Sequence, residues 1–197
     1  MSTLMGALSI REQLLIQAVD FTVTHGWSSL TMSKLADRVG VSRQTVYNEL
    51  GNKAALAEAM VLRELEAFLR GVESAFDDNP DDLVAAIRAA AESALTRAVT
   101  NPLLHAVLTS FQGAESDLLP LLTTRSDVVL QAAGDLIRTR VTRYDVRLPA
   151  GRLERLVDMV VRLVLSHVMQ PAGDPRDTAD DIAWIAGRVL GQIPLES

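Results

Sequence analysis

The sequence has no cysteine, which removes disulfide scaffolds, thiolate metal sites and cysteine nucleophiles together and fits a reducing compartment. Aromatic residues make up only 4% of the 197 positions although 48% are hydrophobic. No basic segment leading into a long apolar stretch opens the chain, so a secretory signal is not expected. No apolar run approaches the roughly 18 residues of a membrane span. Even Leu153 to Met169 is interrupted by Asp158 and Arg162. Catalytic signatures are missing too: no Gly-x-Ser-x-Gly elbow, no His-Glu-x-x-His, no phosphate-cradling glycine loop. The three histidines are far apart and have no acid at metal-ligand spacing. Neither an enzyme nor a metal or other cofactor is therefore expected. A net charge of −6 argues against non-specific coating of nucleic acid or anionic membrane but leaves a local basic surface open. The expectation is a soluble, cytoplasmic protein of one or two domains, with no membrane partner.

What is present is helical punctuation. Ser9 and Glu12 form a capping-box pattern ahead of apolar Leu14, Leu15, Ala18 and Val19, and Gly26 stands where a left-handed C-terminal residue is wanted. Thr31 and Ser42 cap two short helices, to about Val39 and Leu50, with Gly40 between them. Asn52 starts a longer helix to about Phe76. Asn79-Pro80, Asn101-Pro102 and Asp174-Pro175 each put a capping side chain before a proline at the first helical position. Further helices run from about Asp117 or Pro120 to Arg143 and from about Ala150 to Met169. Nine helices and no strands are predicted, an all-α fold. Short helices up to residue 50 and long ones afterwards suggest a head of residues 1–52 and a bundle of residues 53–197, whose first helix (53–76) connects the two.

The head carries the most specific pattern. In MSKLADRVGVSRQTVYNEL, from Met32 to Leu50, Ala36 is small where two helices cross and Gly40 suits the turn. Leu35, Val39, Val41 and Val46 point inward onto Ala18 and Phe21. That spacing is a helix-turn-helix, in which the second helix enters a major groove. Its outward residues are Arg43, Gln44, Thr45, Tyr47 and Asn48, all hydrogen-bonding and only one charged. An ordinary helical hairpin with a polar outer face would show the same spacing.

Residues 11 to 60 resemble the DNA-binding domain of the TetR family of bacterial repressors. The similarity lies in the segment from Phe21 to Trp27, the following Leu-Thr-Met-x-x-Leu-Ala-x-x-x-Gly-Val-Ser, and the junction from Val46 to Leu56. The RQTVYNE stretch is similar to a subgroup of actinobacterial regulators of lipid or alkane genes. The resemblance implies that Tyr47 and Lys53 touch phosphates, and Lys53 sits in a first helical turn where the helix dipole gives a cation no reason to be. Thr31 and Ser42 cap helices whose amides suit phosphate oxygens. Arg43 and Gln44 are the candidate base readers, Arg for guanine and Gln for adenine, with Thr45 and Asn48 beside them. Charge is partitioned accordingly: residues 1–53 hold five basic and four acidic residues, net +1, and the remainder 14 and 21, net −7.

One head meets too few phosphates to bind tightly, whereas two on a two-fold axis read a pseudo-palindrome with recognition helices about 34–36 Å apart or more. The last two helices are the candidate seam. One offers Leu153, Leu156, Val157, Val160, Val161, Val164 and Val168; the other offers Ile182, Ile185, Val189, Leu190 and Ile193 with small Ala183, Ala186 and Gly187. The resemblance implies a four-helix seam between subunits, although both faces could equally be buried within one chain. Between head and seam, the alanine-rich stretch with Ala90 and Ala94 faces larger apolar groups: Leu65, Phe68 and Leu69; Leu108 and Phe111; Ala133 and Ile137; Val164. These outline a candidate ligand pocket, which suits a flexible aliphatic chain better than a flat polycycle, or a tightly packed bundle without a cavity. His105 and His167 are its candidate polar anchors, or hydrogen-bonded core residues. Arg88 and Glu92 form an exposed i,i+4 pair.

The expected function is a ligand-responsive repressor that binds double-stranded DNA as a homodimer and releases it for a hydrophobic acyl or alkyl effector. A helical lipid carrier without DNA-binding activity is the alternative, and it leaves Arg43, Gln44 and Tyr47 unexplained. A helix-turn-helix used only to dock protein is a third reading, at odds with those same phosphate-type side chains.

Overall fold

In the computed structural model the described residues are 8–104 and 126–191, the side chains of 126–129 excepted. They contain eight helices: α1 (Ile10–His25), α2 (Met32–Val39), α3 (Arg43–Leu50), α4 (Lys53–Asp77), α5 (Leu83–Thr100), α6 (Ser126–Val141), α7 (Ala150–Met169) and α8 (Pro175–Leu190). No strand occurs among the described residues, and the fold is all-α. Of the helix expected after Asn101-Pro102, residues 102–104 are helical. The rest of that helix, and the start expected at Asp117 or Pro120, lie outside the described residues.

Local capping explains most of the boundaries. The Ser9 hydroxyl accepts from the Glu12 amide while the Glu12 carboxylate accepts from the Ser9 amide, so the capping box is complete. Thr31, Ser42 and Asn52 accept from Lys34, Thr45 and Ala55 amides, and Asp174 with Pro175 opens α8. Two expectations need correction. Asn79-Pro80 does not start a helix. The Asn79 side-chain amide donates to the Ala75 carbonyl at 2.8 Å, tying it to the end of α4. Asp82 accepts from the Ala85 amide and is the cap of α5. Gly26 has φ 81 and ψ 150, a positive-φ extended conformation rather than a left-handed helical one, whereas Gly40 (φ 78, ψ 31) is left-handed as the turn requires.

The chain divides into two compact units, Met1–Glu64 with Pro102–Thr124 and Leu65–Asn101 with Arg125–Ser197. Helix α4 therefore contributes to both. In the first unit Leu14, Ala18, Leu35, Val46, Leu56 and Met60 are buried in one cluster, which Leu103 joins. Each large side chain there stabilises the unit by about 1.5–3 kcal/mol through loss of apolar surface to water.

In the second unit α8 packs along α5 and α7 along α6. Ala86 on α5 and Ala179 and Ala186 on α8 are fully buried, so small side chains let the backbones approach closely. Ions fasten the same pair: Arg88 reaches Glu92 at 3.2 Å and also Asp180, and Arg176 reaches Glu92 at 3.2 Å. The Asp180 hydrogen bond raises the Arg88 pKa above its usual value. At the other end of α4, buried Arg140 is held by Glu73 and Asp77. Tyr144 packs edge-on against Phe76 and donates its hydroxyl to the Asn79 carbonyl at 2.7 Å, and burial pushes its phenol pKa up.

Candidate nucleic-acid interface

Helices α2 and α3 are separated by residues 40–42, and α1 supplies the surface on which both rest. Val46 and Leu50 anchor α3 on its inner side and are buried. The opposite side is free: Arg43, Gln44, Tyr47 and Asn48 are all exposed. The four form two pairs one turn apart. Arg43 donates to the Tyr47 hydroxyl at 3.3 Å, its guanidinium carbon 5.4 Å from the ring centre, and Gln44 donates to the Asn48 side-chain oxygen at 2.9 Å. Thr45 is half-buried and its hydroxyl lies 2.9 Å from that of Ser42, so it belongs to the cap as much as to the outer face.

Lys53 has a partner within the chain that sequence reasoning missed. Its ammonium lies 4.8 Å from the Trp27 ring centre and 3.5 Å from the Ser28 carbonyl. A cation–aromatic contact thus accounts for a lysine in the first turn of α4 without any external anion. The ammonium keeps further donors for one. Thr31 is exposed and its hydroxyl oxygen is engaged by the Lys34 amide, leaving the hydroxyl hydrogen to donate outward.

Other contacts of basic residues were not legible from spacing. Arg11 on α1 donates to the Glu49 carbonyl, placing a cation on the C-terminal end of α3, where the helix dipole favours it. Lys34 and Arg38 sit over the face of Phe21, and Arg38 is bonded to Gln17 and Asp20. The basic residues of α2 therefore clamp α1.

Two family models match the chain. Residues 14–60 match the model described as bacterial regulatory proteins, tetR family, and residues 82–188 match the C-terminal domain of the bacterial tetracyclin repressor. The HTH-type transcriptional regulator AlkX of Mycobacterium tuberculosis (strain ATCC 25618 / H37Rv) is 31% identical over 174 residues, covering 88% of this chain and 82% of the relative. The chain belongs to the TetR family of bacterial transcriptional regulators. The HTH-type transcriptional activator FasR of Mycolicibacterium smegmatis (strain ATCC 700084 / mc(2)155) is 35% identical over 82 residues, 40% of this chain and 37% of that one. Among solved structures, the TetR family repressor AlkX from Dietzia sp. strain DQ12-45-1b, implicated in biodegradation of n-alkanes, superposes with a TM-score of 0.72 at 24% identity, covering 94% of this chain and 97% of that one.

In this TetR-family chain the residues expected at a subunit seam differ in exposure. Leu156, Val157, Val161, Ala183, Ala186 and Gly187 are buried against their own chain, and Leu153, Val160 and Leu190 are half-buried. The small residues of α8 serve its packing within the unit. Those left outside are Met159 (64% exposed), Trp184 (54%), Ile185 (44%) and Val189 (50%), with the Arg188 guanidinium 5.2 Å from the Trp184 ring centre.

The residues expected at a ligand are spread over α4 to α7. Leu65, Phe68, Leu69, Ala133, Ile137, Val164 and His167 are half-buried, and His167 meets the Leu163 carbonyl of its own helix at 2.9 Å. Ala90 and Ala94 are buried, while His105, Leu108 and Phe111 lie outside the described residues. A groove of about 500 Å³ passes Glu92, Ser93, Thr96 and Arg97, and a smaller cavity of about 290 Å³ lies among Phe76, Arg140 and Tyr144. Neither is lined by a residue expected at the ligand.

No helix among the described residues is long and apolar enough to cross a membrane, and no cluster of three or more His, Asp or Glu among them could hold a metal ion.

Proposed function

We propose that this regulator represses transcription by binding a pseudo-palindromic operator as a homodimer and leaves the DNA when an aliphatic chain enters the C-terminal bundle. The observation that carries the DNA part is the outer face of α3, where four hydrogen-bonding side chains stand exposed on a helix whose inner face is locked into the core. Arg43 is assigned to guanine and Gln44 to adenine, while Tyr47, Lys53 and the capped ends at Thr31 and Ser42 meet phosphates. Asn48 and Thr45 complete the surface.

Dimerisation is assigned to α7 and α8, supported by the exposed apolar side chains Met159 on α7 and Trp184, Ile185 and Val189 on α8. The aliphatic ligand class is supported by the scarcity of aromatic residues and by the n-alkane connection of the Dietzia AlkX. Helix α4 belongs to both compact units, and its displacement at the ligand is the proposed route to Lys53. A ligand that turns a 99% DNA-competent population into 1% must prefer the incompetent form by about 5.5 kcal/mol. The proposed site is cytoplasmic DNA; no catalytic role is assigned.

The test is fluorescence anisotropy of a duplex selected from a random library, titrated with long-chain alkanes and fatty acids. Release at micromolar chain concentration supports the proposal. Retention of the duplex at saturating concentrations of every chain length would remove the ligand assignment while leaving the DNA assignment standing.

A further inference from the structure

We propose that Tyr47 and Asn48 are positioning residues for base readout, each holding the reading side chain one turn before it in the orientation a purine requires. This rests on the reading of α3 as the DNA-contacting helix. The two bonds, Arg43 to the Tyr47 hydroxyl at 3.3 Å and Gln44 to the Asn48 oxygen at 2.9 Å, run side by side along the exposed face.

Hydrogen-bond inventory shows why these bonds help reading rather than compete with it. A guanidinium has five N–H donors in a rigid fork, and Arg43 gives one of them to Tyr47. The Nη1 hydrogens and the second Nη2 hydrogen remain, and they form the edge that matches O6 and N7 of guanine. Gln44 gives one Nε2 hydrogen to Asn48 and keeps the other together with Oε1, the pair that matches N7 and N6 of adenine. The Tyr47 hydroxyl accepts from Arg43 and keeps its own hydrogen for a phosphate. A backbone contact and a base contact are thereby joined through one oxygen. Both readers are long, flexible side chains, and one that is already held loses less freedom when it meets its base. Thr45 has no such role, because its hydroxyl faces the Ser42 cap.

The experiment uses the full-length protein and duplexes selected from a random library, with every single-base variant of the preferred site. Wild type is compared with Tyr47→Phe, Arg43→Ala and the double variant; phenylalanine keeps the ring and removes only the hydroxyl. The expected result is that Tyr47→Phe weakens the preference at the base pair that Arg43→Ala erases, by about two- to tenfold. In the Arg43→Ala background the same change leaves that preference unaltered. Asn48→Ala should act likewise at the base pair read by Gln44, and Asn48→Asp, which retains the acceptor oxygen, should keep it. If Tyr47→Phe lowers affinity for preferred and substituted duplexes by one common factor, the hydroxyl serves phosphate alone and the proposal is overturned. Should wild type enrich no sequence at all, the assignment of α3 to DNA fails with it. If Arg43→Ala flattens one position while Tyr47→Phe leaves it intact, only the positioning role fails.

Discussion

Gly71 on α4 and Ser93 on α5 stand so close that a Cβ built on the glycine would lie 2.5 Å from the Ser93 hydroxyl oxygen. The hydroxyl is the end of a rotatable side chain, and the Ser93 Cβ is 3.7 Å from the same position, so an alanine at 71 moves the hydroxyl rather than the backbone. Gly71→Ala should therefore change stability by less than about 1 kcal/mol, the helix-propensity gain of alanine offsetting the displaced hydroxyl. In the Ser93→Ala background, where no hydroxyl has to move, the same change should stabilise the second unit by more. Urea unfolding of both single variants and the double one checks this; additive effects would show that the two positions do not share a contact.

Arg140 joins the C-terminal halves of α4 and α6 through Glu73 and Asp77, with its own side chain nearly enclosed. Arg140→Met should cost about 2 kcal/mol, because two charge-assisted bonds are lost and only the arginine end was desolvated. Arg143, which meets Asp77 at 3.0 Å but is largely exposed, should be replaceable by Met with a loss of about 0.5 kcal/mol. Chemical denaturation of the two variants makes the comparison.

The capping box at the start of α1 titrates. Hydrogen bonding from the Ser9 amide, then from its hydroxyl, holds the Glu12 pKa below the ordinary value, about 4.3 for such a carboxylate. A lowered folded-state pKa means stability that is present above the ordinary value and lost as pH falls through the folded one. Glu12→Gln keeps an acceptor but no charge. Its denaturation midpoint should sit below that of wild type at pH 7, and the difference should vanish in acid below the folded pKa. A constant difference across that range would contradict the titration.

These helices show what a sequence discloses and what it withholds. Ser9, Thr31, Ser42 and Asp174 were legible because a cap acts within four residues of chain. Asn79 misled because its side chain can satisfy either the helix behind it or the one ahead, and it takes the Ala75 carbonyl. The outer face of α3 was legible by elimination, since Val46 and Leu50 fix which side is inward. On α8 the apolar residues were legible, Ile185 and Val189 among them, but not their division: Ile182, Ala183 and Ala186 are covered by the same chain while Trp184, Ile185 and Val189 are exposed. The helix is apolar almost all round, so periodicity could not say which of them the same chain covers. Trp184 was the available signal, being too large for the close approach that Ala183 and Gly187 permit. The Lys53–Trp27 contact joins α4 to the residues after α1, and no local rule reports such a pair.

The exposed apolar side chains of α8 give a prediction for assembly. Trp184→Glu or Val189→Glu should weaken self-association at least tenfold, a central aromatic being a usual anchor of such a surface. Helical circular dichroism should be retained, since both side chains are exposed in the single chain. Analytical ultracentrifugation decides the matter. An unchanged dimer fraction would place the seam elsewhere.

The most direct test of α3 as a reader of base edges is the affinity of Arg43→Ala and Lys53→Ala for a selected duplex, its single-base variants and random DNA. Arg43→Ala should lose about 1–3 kcal/mol on the selected duplex and relax preference at one base pair. Lys53→Ala should weaken all sequences alike and make the salt slope shallower by about one unit. Equal losses on selected and random DNA after Arg43→Ala would contradict the reading of the recognition helix.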